Sequence, residues 1–433
     1  MIPAAHVSAA IEILGDLSQR RRPVAEALKD WGASHRFAGS RDRAAIASLV
    51  FDAMRKAASA VWVMGADTPR AQMLGTLREA RGMDAAVIAA LCTGEGHAPA
   101  LLTDEERARL ETATLDDAPA HVRGDYPEWL AGRLEAAFGD RAAQEGAALS
   151  ARAPVDLRVN ILKGSREQAL AKLSHLNPAP TPLSPLGLRI EAGQGRGPAL
   201  PAETAYVKGF VEPQDEASQL AALLCAAGPG EQVLDLCAGG GGKALALAGQ
   251  MHNKGQLYAY DADGRRLMPI HERLERAGAR NIQVRQPKGK ADVLADLAGR
   301  CDLVLIDAPC TGSGTWRRHP DAKWRLAPGA LELRLKEQTA LLEQAVRFVK
   351  PGGRLAYVTC SLLRDENEDQ VAAFLAAHPD FQGLPGAQIA EKAGLPDLAR
   401  FASKHGPGIR LSPASSGTDG FYVALLQRSG TIP

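Results

Sequence analysis

The stretch VLDLCAGGGGKALALAG, residues 233–249, joins an apolar strand pattern, four consecutive glycines and an apolar helical pattern. Glycine lets the backbone turn tightly and approach a ligand, and the first turn of the following helix offers free N–H groups. The loop from Gly239 to Gly242 is therefore expected to bind a ligand rather than to be an ordinary turn. It is not a phosphate-binding P-loop, because Lys243 is followed by Ala244 instead of serine or threonine, and the generic dinucleotide fingerprint also fits poorly.

Strand and helix patterns alternate around this loop and beyond it. From about residue 209 the strand patterns are QVLDLC, GQLYAYD, NIQVRQ, CDLVLID, GRLAYVTC and FYVALLQR. The fourth and fifth are separated by a helix that should end at KPGGR and whose apolar face carries Leu331, Leu335, Leu342, Val346 and Val349. This alternation predicts an α/β fold with a doubly wound, Rossmann-like sheet and functional loops at the carboxyl ends of the strands. The last strand follows the turn signal GTDG and is expected to be antiparallel.

The front half of the chain predicts two further domains, because 433 residues exceed a single ordinary core. Residues 1–145 show helical apolar spacing with almost no strand alternation, which predicts an all-α N-terminal domain. Residues 146–210 combine the strand pattern VDLRVNIL with the capped helix SREQALAKL and end in the Pro/Gly-rich run GQGRGPALPAETA. They predict a small α+β domain. Residues 211–433 then form the doubly wound domain.

Composition limits the class of protein. The net charge is +1, so a nucleic-acid surface would have to be a local patch. The six cysteines form no CxxC pair and no Cys/His cluster at zinc spacing, so we expect no metal. We find neither a secretory signal nor an apolar stretch long enough to span a membrane, and therefore expect a cytoplasmic protein with free thiols and no membrane partner.

An acidic residue follows the second strand pattern of the doubly wound region. Asp261 ends LYAYD, and a carboxylate about 20 residues after a glycine loop commonly binds a ribose hydroxyl. Asp263 is better explained as the cap of the helix that follows it. A glycine loop with a ribose carboxylate, but without phosphate-binding chemistry, predicts an adenosine ligand that lacks a diphosphate. S-adenosyl-L-methionine (AdoMet) fits this description.

Two cysteines follow predicted strands, where loops carry function: Cys310, three residues after Asp307, and Cys360. A thiolate that adds to carbon 6 of a pyrimidine makes carbon 5 able to take a methyl group from a sulfonium. A base then removes the carbon 5 proton, and the thiol is eliminated. A nearby carboxylate can stabilise or protonate the ring nitrogen. Burial in the core is a sufficient explanation for three other cysteines, namely Cys225, Cys237 and Cys301.

Four motifs resemble those of the RNA cytosine-5 methyltransferases of the RsmB/NOL1/NOP2/Sun type, over about residues 206–428: LDLCAGGGGK, DAPCTGSGTWRRHPDAKW, TCSLLRDENEDQV and GTDGFYVALL. The resemblance implies a class I methyltransferase sheet, AdoMet as cofactor, Cys360 as the attacking thiol and Cys310 as the thiol that helps release the product. The related DNA enzymes attack with the Pro-Cys thiol, so strand-end position alone leaves the two roles open. The cofactor site implied by the resemblance consists of Cys237, Ala238, Gly239, Gly240, Gly241, Gly242, Lys243, Asp261 and Asp307.

This chain departs from the family pattern at two places. The family's loop usually reads Cys-Ala-Ala-Pro-Gly-Gly-Lys, whereas Gly239 and Gly240 stand here in place of alanine and proline. The family also usually has an acidic residue near the adenine after the third strand, where this chain has Lys288. Either Asp292 substitutes for it through a shifted loop, or backbone and apolar contacts alone hold the adenine.

The front half resembles the same family more weakly. RFAGSRDRAAIASLVFDAMRK resembles the NusB-like domain attached to the bacterial ribosomal RNA enzyme, and RAPVDLRVNILKGSREQAL resembles its small RNA-recognition-like domain. In WRRHPDAKWR, Trp316 and Trp324 are expected to stack on bases while Arg317, Arg318 and Lys323 hold the RNA backbone. Arginines elsewhere are candidate phosphate contacts, although a solvated face explains any single one better: Arg20, Arg21, Arg22, Arg36, Arg41, Arg43 and Arg158.

Together these features predict an AdoMet-dependent RNA cytosine-5 methyltransferase that acts on 16S ribosomal RNA as a monomer, with Cys360, Cys310 and Asp307 as catalytic residues. Two alternatives stay open at this point. One is the same chemistry on transfer RNA, because target choice lies in the front half. The other is an RNA-binding ribosome-assembly factor with a degenerate catalytic domain, which Lys288 and the altered loop keep open although both thiols are present.

Overall fold

The computed structural model describes residues 1–193 and 197–430. Residues 194–196 of the predicted Pro/Gly-rich run and residues 431–433 of the predicted doubly wound domain lie outside the described residues. The chain forms two compact units. The helical unit comprises Met1–Arg152 and Trp316–Ala327, and the sheet unit comprises Ala153–Ala192, Pro198–Thr315 and the chain from Pro328 onwards.

Helices make up much of both units; α1 to α10 and α17 belong to the helical unit and the others to the sheet unit. The α-helices are α1 (Pro3–Arg20), α2 (Val24–Ser34), α3 (Ser40–Arg55), α4 (Ala57–Met64), α5 (Pro69–Glu79), α6 (Ala85–Leu91), α7 (Asp104–Thr112), α8 (Ala120–Arg123), α9 (Ala131–Phe138), α10 (Ala142–Leu149), α11 (Arg166–Lys172), α12 (Thr204–Val207), α13 (Glu216–Leu224), α14 (Gly242–Gln250), α15 (Gly264–Leu267), α16 (Ile270–Ala277), α17 (Ala322–Arg325), α18 (Pro328–Val346), α19 (Glu368–Ala377), α20 (Gly386–Lys392) and α21 (Pro413–Ser416). Short 3₁₀ helices occur at Glu128–Leu130, Gly139–Arg141, Ser174–Leu176, Leu200–Ala202, Ala295–Leu297, Ser313–Thr315, Arg364–Glu366 and Pro396–Phe401.

Two sheets are built from twelve short segments of the described chain. The strands are β1 (Val155–Val159), β2 (Ala179–Pro180), β3 (Gly187–Ile190), β4 (Val211–Pro213), β5 (Gln232–Asp235), β6 (Gln256–Tyr260), β7 (Ile282–Arg285), β8 (Cys301–Asp307), β9 (Val349–Thr359), β10 (Phe381–Gly383), β11 (Ile409–Leu411) and β12 (Phe421–Arg428).

The helical unit packs around one apolar core, as the helical spacing of the front half predicts. Ile13 on α1, Ile46 and Val50 on α3 and Leu74 on α5 are each at most 2% exposed and belong to the same core cluster. Their spacing of three to four residues places the apolar side chains of each helix on one face. Thr103 caps α7 with a capping box, which satisfies N–H groups at the start of that helix.

A small antiparallel sheet begins the sheet unit, with strand order β2-β3-β1-β4. Leu157 and Val159 of β1 pack against Leu188 of β3 and Val211 of β4 in a core of their own. Ser165 caps α11 through a capping box, which confirms the helix start expected from SREQALAKL. The strand and capped helix expected in this region are therefore both present.

The large sheet has the doubly wound order β10-β12-β9-β8-β5-β6-β7, and β11 also pairs with β12. Strands β5 to β9 are mutually parallel, and β12 lies antiparallel to β9. The α/β fold and the antiparallel last strand are confirmed. Because the parallel strands point the same way, the residues that follow β5, β6, β8 and β9 come together at one edge.

The prediction was wrong about the end of the helix before β9. Helix α18 ends at Val346, and KPGGR lies inside β9 instead of breaking the helix. Val349 pairs with Cys301 across to β8, with a register shift before Leu303 pairs with Arg354. Pairing with a buried neighbouring strand outweighs the local turn signal of proline and glycine. Strands β10 and β11 were not predicted, because three residues are too few to show an alternation.

The division into three domains at residues 145 and 210 stays a prediction. The small sheet and the large sheet fall in one compact unit, and the helical unit extends to Arg152 and takes in Trp316–Ala327. Among residues 1–193 and 197–430, no helix is long and apolar enough to cross a membrane.

Candidate active site

The glycine loop connects β5 to α14 and needs glycine at specific positions. Gly239 and Gly241 have positive φ values of 49° and 81°, a region that favours glycine. A side chain on Gly241 would also lie 2.5 Å from Ile270. At Gly240 the backbone φ is ordinary, but the Arg273 guanidinium donates to its carbonyl at 2.6 Å, and a Cβ there would lie 3.2 Å from Arg273. Gly240, the second glycine of the loop, thus accommodates an arginine that holds the loop.

The rest of the predicted loop is anchored beside β6. The backbone N–H of Ala238 donates to the Tyr260 carbonyl at 2.8 Å, and Ala238 is buried. Cys237, the residue before it, is half-buried and carries a free thiol. Burial, followed by the charge of Asp235, raises the pKa of the Cys237 thiol well above its usual range, so this cysteine is not a reactive thiolate.

Asp261 lies at the end of β6, against the glycine loop. One carboxylate oxygen accepts the Gly239 N–H at 3.0 Å, and the other accepts the Asp263 N–H at 3.0 Å. Arg266, whose side chain is 56% exposed, pairs with the same carboxylate at 3.1 Å. Asp263 caps α15 by accepting the Arg265 N–H, as expected. The structure therefore brings the predicted ribose carboxylate and the loop together.

Asp235 is a further acidic residue of this edge that the sequence analysis did not select. It ends β5, is 1% exposed, and neither carboxylate oxygen makes a hydrogen bond of standard geometry to another described residue. Burial, reinforced by the negative charge of Asp307, raises the pKa of Asp235 to about 8. Its position in VLDLC, directly before the glycine loop, was the signal that could have identified it.

Lys243 and Asp307 form an ion pair at the centre of the site. The Lys243 ammonium, only 7% exposed, donates to an Asp307 oxygen at 2.7 Å and lies 5.1 Å from the centre of the Phe421 ring. Burial by itself would lower the pKa of Lys243, but the charge of Asp307 outweighs it and the pKa is raised. Lys243 also interacts electrostatically with Cys360, so a fixed positive charge lies near that thiol.

The two predicted catalytic cysteines lie side by side. Cys310, in the loop after β8, and Cys360, directly after β9, have their sulfur atoms 3.3 Å apart in hydrogen-bonding contact. Both are half-buried. The hydrogen bond to Cys360, followed by burial, raises the pKa of Cys310 well above its usual range. Cys310 therefore keeps its proton at neutral pH.

A buried carboxylate that the sequence analysis did not select links the two thiol loops. Glu366 is fully buried and accepts the Thr311 N–H at 2.8 Å and the Thr311 hydroxyl at 2.5 Å. It also accepts the Ser361 hydroxyl and, at 3.0 Å, the side-chain amide of Gln338. Thr311 follows Cys310 and Ser361 follows Cys360, so one side chain fixes both neighbours. Sequence gives no signal for this link beyond an acid near the second thiol.

The loop after β7 holds both residues that bear on the missing adenine-site acid. Lys288 lies in a turn bridged to Ala291. The Asp292 carboxylate pairs with Arg347 at 2.6 Å, which lowers the pKa of Asp292. Adenine contact through Asp292, or through backbone and apolar groups alone, stays a prediction.

The expected base-stacking role of WRRHPDAKWR is wrong for most of its residues. Trp316 is 1% exposed and Arg317 5% exposed, so neither offers a face to RNA. Lys323 is 1% exposed and donates to the Arg55 carbonyl and the Ser150 hydroxyl, while the Trp324 indole donates to the Met54 carbonyl at 2.7 Å. These side chains hold the segment in the helical unit.

The predicted phosphate contacts differ in exposure. Arg36, Arg41 and Arg43 are exposed. Arg158, by contrast, is 4% exposed and donates to the Gln214 side chain at 2.6 Å, so its expected phosphate contact is wrong. Arginines 20 and 22 pair with Asp16 and are thereby engaged within the protein.

A doubly wound sheet, a glycine loop after its first parallel strand and an acid after the second define the class of AdoMet-dependent methyltransferases. Residues 222–427 match the family described as 16S rRNA methyltransferase RsmB/F, and residues 126–195 match the ferredoxin-like domain of RsmF/B-like methyltransferases. The chain therefore belongs to the RsmB/F family of RNA methyltransferases, with AdoMet as its cofactor.

Individual relatives agree with this membership. The chain is 35% identical over 332 residues to ribosomal RNA small subunit methyltransferase B of Sodalis glossinidius, covering 76% of this chain and 69% of that protein. It is 36% identical over 315 residues to the enzyme of the same name from Thermus thermophilus, covering 72% and 67%. The crystal structure of PH0851 superposes with a TM-score of 0.70 at 26% identity, covering 99% of each chain.

Proposed function

We propose that this enzyme methylates carbon 5 of a cytosine in 16S ribosomal RNA through a covalent bond between Cys360 and carbon 6. The observation that carries the proposal is the contact of the Cys310 and Cys360 sulfur atoms at 3.3 Å, beside the Lys243–Asp307 ion pair. A methyltransferase that acts on an already nucleophilic atom needs no thiol. Two thiols in contact at the cofactor edge are the arrangement that activation of carbon 5 requires.

Cys360 is proposed to be the nucleophile because its partner thiol, Cys310, stays protonated and a positive charge lies near the Cys360 sulfur. The contact with Cys360 raises the pKa of Cys310, so Cys310 keeps its proton. The Lys243 ammonium adds a positive charge near Cys360. The Cys360 sulfur forms a bond to carbon 6 as the double bond between carbons 5 and 6 opens. The Lys243–Asp307 pair, 2.7 Å apart, stabilises the ring nitrogen as negative charge develops there, with the Lys243 ammonium as the proton donor.

Cys310 is proposed to act when the adduct breaks down. After a base removes the carbon 5 proton, the double bond re-forms and the Cys360 sulfur leaves with the bonding electron pair. A thiolate leaves more readily when a hydrogen-bond donor receives it. Cys310, protonated and in contact with Cys360, is that donor. Without it the adduct is expected to persist.

The residues at this edge suit AdoMet, which supplies the methyl group as an electrophile. AdoMet carries a sulfonium and an ammonium charge, and the carboxylates of Asp261 and Asp307 lie at this edge together with the buried carboxyl of Asp235. We propose that the loop from Cys237 to Lys243 lies along the ligand and that Asp261 accepts a ribose hydroxyl, after Arg266 moves aside. A side chain at Gly241 would collide with Ile270, so this position of the loop carries none.

Bisulfite sequencing of total RNA from cells with and without the gene tests the proposed substrate. The expected result is one or more cytosines of 16S ribosomal RNA that resist conversion only when the gene is present. If the resistance of cytosines to bisulfite conversion changes in transfer RNA instead, transfer RNA is the substrate of the same chemistry. Unchanged protection in all RNA, with AdoMet still bound by the purified protein, would indicate an RNA-binding assembly factor.

A further inference from the structure

Helix α16 packs against the glycine loop through two residues that lie one turn apart. Ile270 is fully buried and lies so close to Gly241 that a Cβ on that glycine would be 2.5 Å from it. Arg273, three residues later on the same face, donates from Nη1 to the Gly240 carbonyl at 2.6 Å. This helix therefore supports the loop by shape at one glycine and by a hydrogen bond at its neighbour.

The guanidinium of Arg273 is anchored on its other side by the small sheet. Its Nη2 atom donates to one carboxylate oxygen of Glu212, on β4, at 3.1 Å. The other oxygen of Glu212 accepts two hydrogen bonds from Arg276, at 2.6 and 3.2 Å. Glu212 is 2% exposed, so two arginines of one helix neutralise its charge inside the sheet unit. Arg273 thus joins β4 to the glycine loop through two nitrogen atoms of one planar group.

The loop gains little rigidity from its own sequence. Gly239 and Gly240 stand where the family's loop usually has alanine and proline. Glycine samples more backbone conformations than either residue, and proline fixes φ at about −65°. A loop with two glycines loses more conformational entropy when a ligand orders it, unless the folded protein has already restricted it. A hydrogen bond from a charged donor to the Gly240 carbonyl supplies such a restriction.

We propose that Arg273 is a positioning residue for AdoMet, which holds the Gly240 peptide in its ligand-binding conformation in place of the family's proline, with Glu212 as its anchor. The inference rests on the proposed function for the place of AdoMet along this loop. It assigns to Arg273 and Glu212 a role in cofactor affinity and none in the chemistry of the thiols. Because a buried ion pair adds little net stability, its contribution here is to the geometry of the loop.

Replacement of Arg273 tests the proposal. Arg273→Met removes both hydrogen bonds and keeps a long side chain. Its dissociation constant for AdoMet, measured by isothermal titration calorimetry on the full-length protein, should rise about tenfold, because binding must then order the loop. The KM for AdoMet should rise in parallel, while kcat at saturating AdoMet stays within about twofold of the wild type.

Arg276→Met is the matched control for this variant. Arg276 lies on the same helix and pairs with the same carboxylate, but its side chain donates to Glu212 and Glu272. Its affinity for AdoMet should stay within about twofold of the wild type. Equal losses of affinity in Arg273→Met and Arg276→Met would overturn the proposal, because the loss would then come from the ion pair and not from the loop.

Further variants separate positioning from a general loss of folding. Arg273→Lys keeps the charge but has a single nitrogen that cannot span both partners, so a smaller loss of AdoMet affinity is expected. Glu212→Gln should weaken AdoMet binding in the wild type and add nothing to Arg273→Met, because the anchor acts only through the arginine. Gly240→Ala places a Cβ 3.2 Å from Arg273 and should weaken binding in the wild type. In the Arg273→Met background the same alanine restricts the loop and should strengthen binding.

Affinity like that of the wild type in Arg273→Met and Arg273→Lys, or additive losses from Glu212→Gln and Arg273→Met, would each overturn the proposal. Asp261→Ala tests the place of the cofactor separately. A loss of affinity in Asp261→Ala with none in Arg273→Met refutes the role of Arg273 alone, whereas no loss in either variant also contradicts the proposed cofactor site. The calorimetry involves neither RNA nor methyl transfer, so its result is independent of the proposed cytosine chemistry.

Discussion

Asp235 shows how one buried carboxyl can couple stability to pH. Its folded pKa of about 8 lies above the ordinary value of 3.8, so between these values the folded protein holds a proton that the unfolded chain has lost. Stability is therefore full below about pH 4 and is lost as pH rises toward 8. Because burial and the charges of Asp307 and Asp261 raise the pKa of Asp235, the neutral form of its carboxyl is favoured over the charged form until a cationic ligand binds.

The corresponding prediction concerns Asp235→Asn, which mimics the protonated form at every pH. Between pH 5 and 8 the free energy of unfolding of the wild type should fall relative to the variant by about 1.4 kcal/mol per pH unit. Urea unfolding at several pH values measures it, and Asp397→Asn, an exposed position, is the control. Parallel pH profiles of wild type and Asp235→Asn would contradict the buried-proton interpretation.

Asp261 carries the prediction for the cofactor. Asp261→Ala should weaken AdoMet binding by about 1–3 kcal/mol, because a buried ribose hydroxyl and the Gly239 amide both lose their acceptor. Isothermal titration calorimetry measures the affinity. Asp263→Ala removes a neighbouring acid that only caps α15, and its AdoMet affinity should stay near that of the wild type. If both variants bind alike, Asp261 does not contact the ribose.

The strand ends and the connections after them position the site. The sequence was sufficient to predict the parallel strands, the glycine loop and the two thiols after β8 and β9, because apolar runs followed by turn residues mark these elements. It was insufficient for the end of α18 and for β10 and β11. These depend on pairing with strands distant in sequence, which local patterns do not contain. The Glu366 bridge between the thiol loops has the same origin.

Glu366 gives the prediction for these connections. Glu366→Ala leaves buried donors from Thr311, Ser361 and Gln338 without an acceptor, so stability should fall by at least about 1–3 kcal/mol. Because Thr311 and Ser361 adjoin the thiols, kcat should fall as well, while AdoMet affinity persists. Glu366→Gln, which keeps one acceptor, should recover part of kcat. Glu391→Ala, exposed on α20, is the control. Unchanged kcat in a folded Glu366→Ala variant would show that the bridge does not position the thiols.

Across the whole molecule, residues distant in sequence complete each unit. Trp316–Ala327 follows the Cys310 loop in sequence but belongs to the helical unit, where Lys323 is buried between the Arg55 carbonyl and the Ser150 hydroxyl. The charges and tryptophans of this segment predicted an RNA contact. Their burial was not predictable, because it depends on partners about 170 to 270 positions away. Local composition does not reveal such partners.

Lys323 therefore predicts a pH effect of opposite sign to that of Asp235. Burial lowers the pKa of Lys323 to about 7 from 10.5, so between these values the unfolded chain binds a proton that the folded protein lacks. Stability should rise with pH from 7 to about 10, by about 1.4 kcal/mol per unit, and Lys323→Met should abolish this slope. Urea unfolding at several pH values measures the slope. The exposed Lys29→Met control should retain the slope, and a slope that survives in Lys323→Met would assign it to another group.

Trapping of the protein–RNA adduct tests the proposed covalent chemistry most directly. Unmethylated 16S ribosomal RNA, labelled and incubated with enzyme and AdoMet, is resolved on a denaturing gel. Cys310→Ala should attack but fail to release, so a slow covalent band accumulates, whereas Cys360→Ala should neither methylate nor form the band. Cys92→Ala, a buried thiol of the helical unit, should turn over without accumulating it. A band that appears with Cys360→Ala and is missing with Cys310→Ala would reverse the two roles, and normal turnover in both variants would contradict covalent catalysis by either thiol.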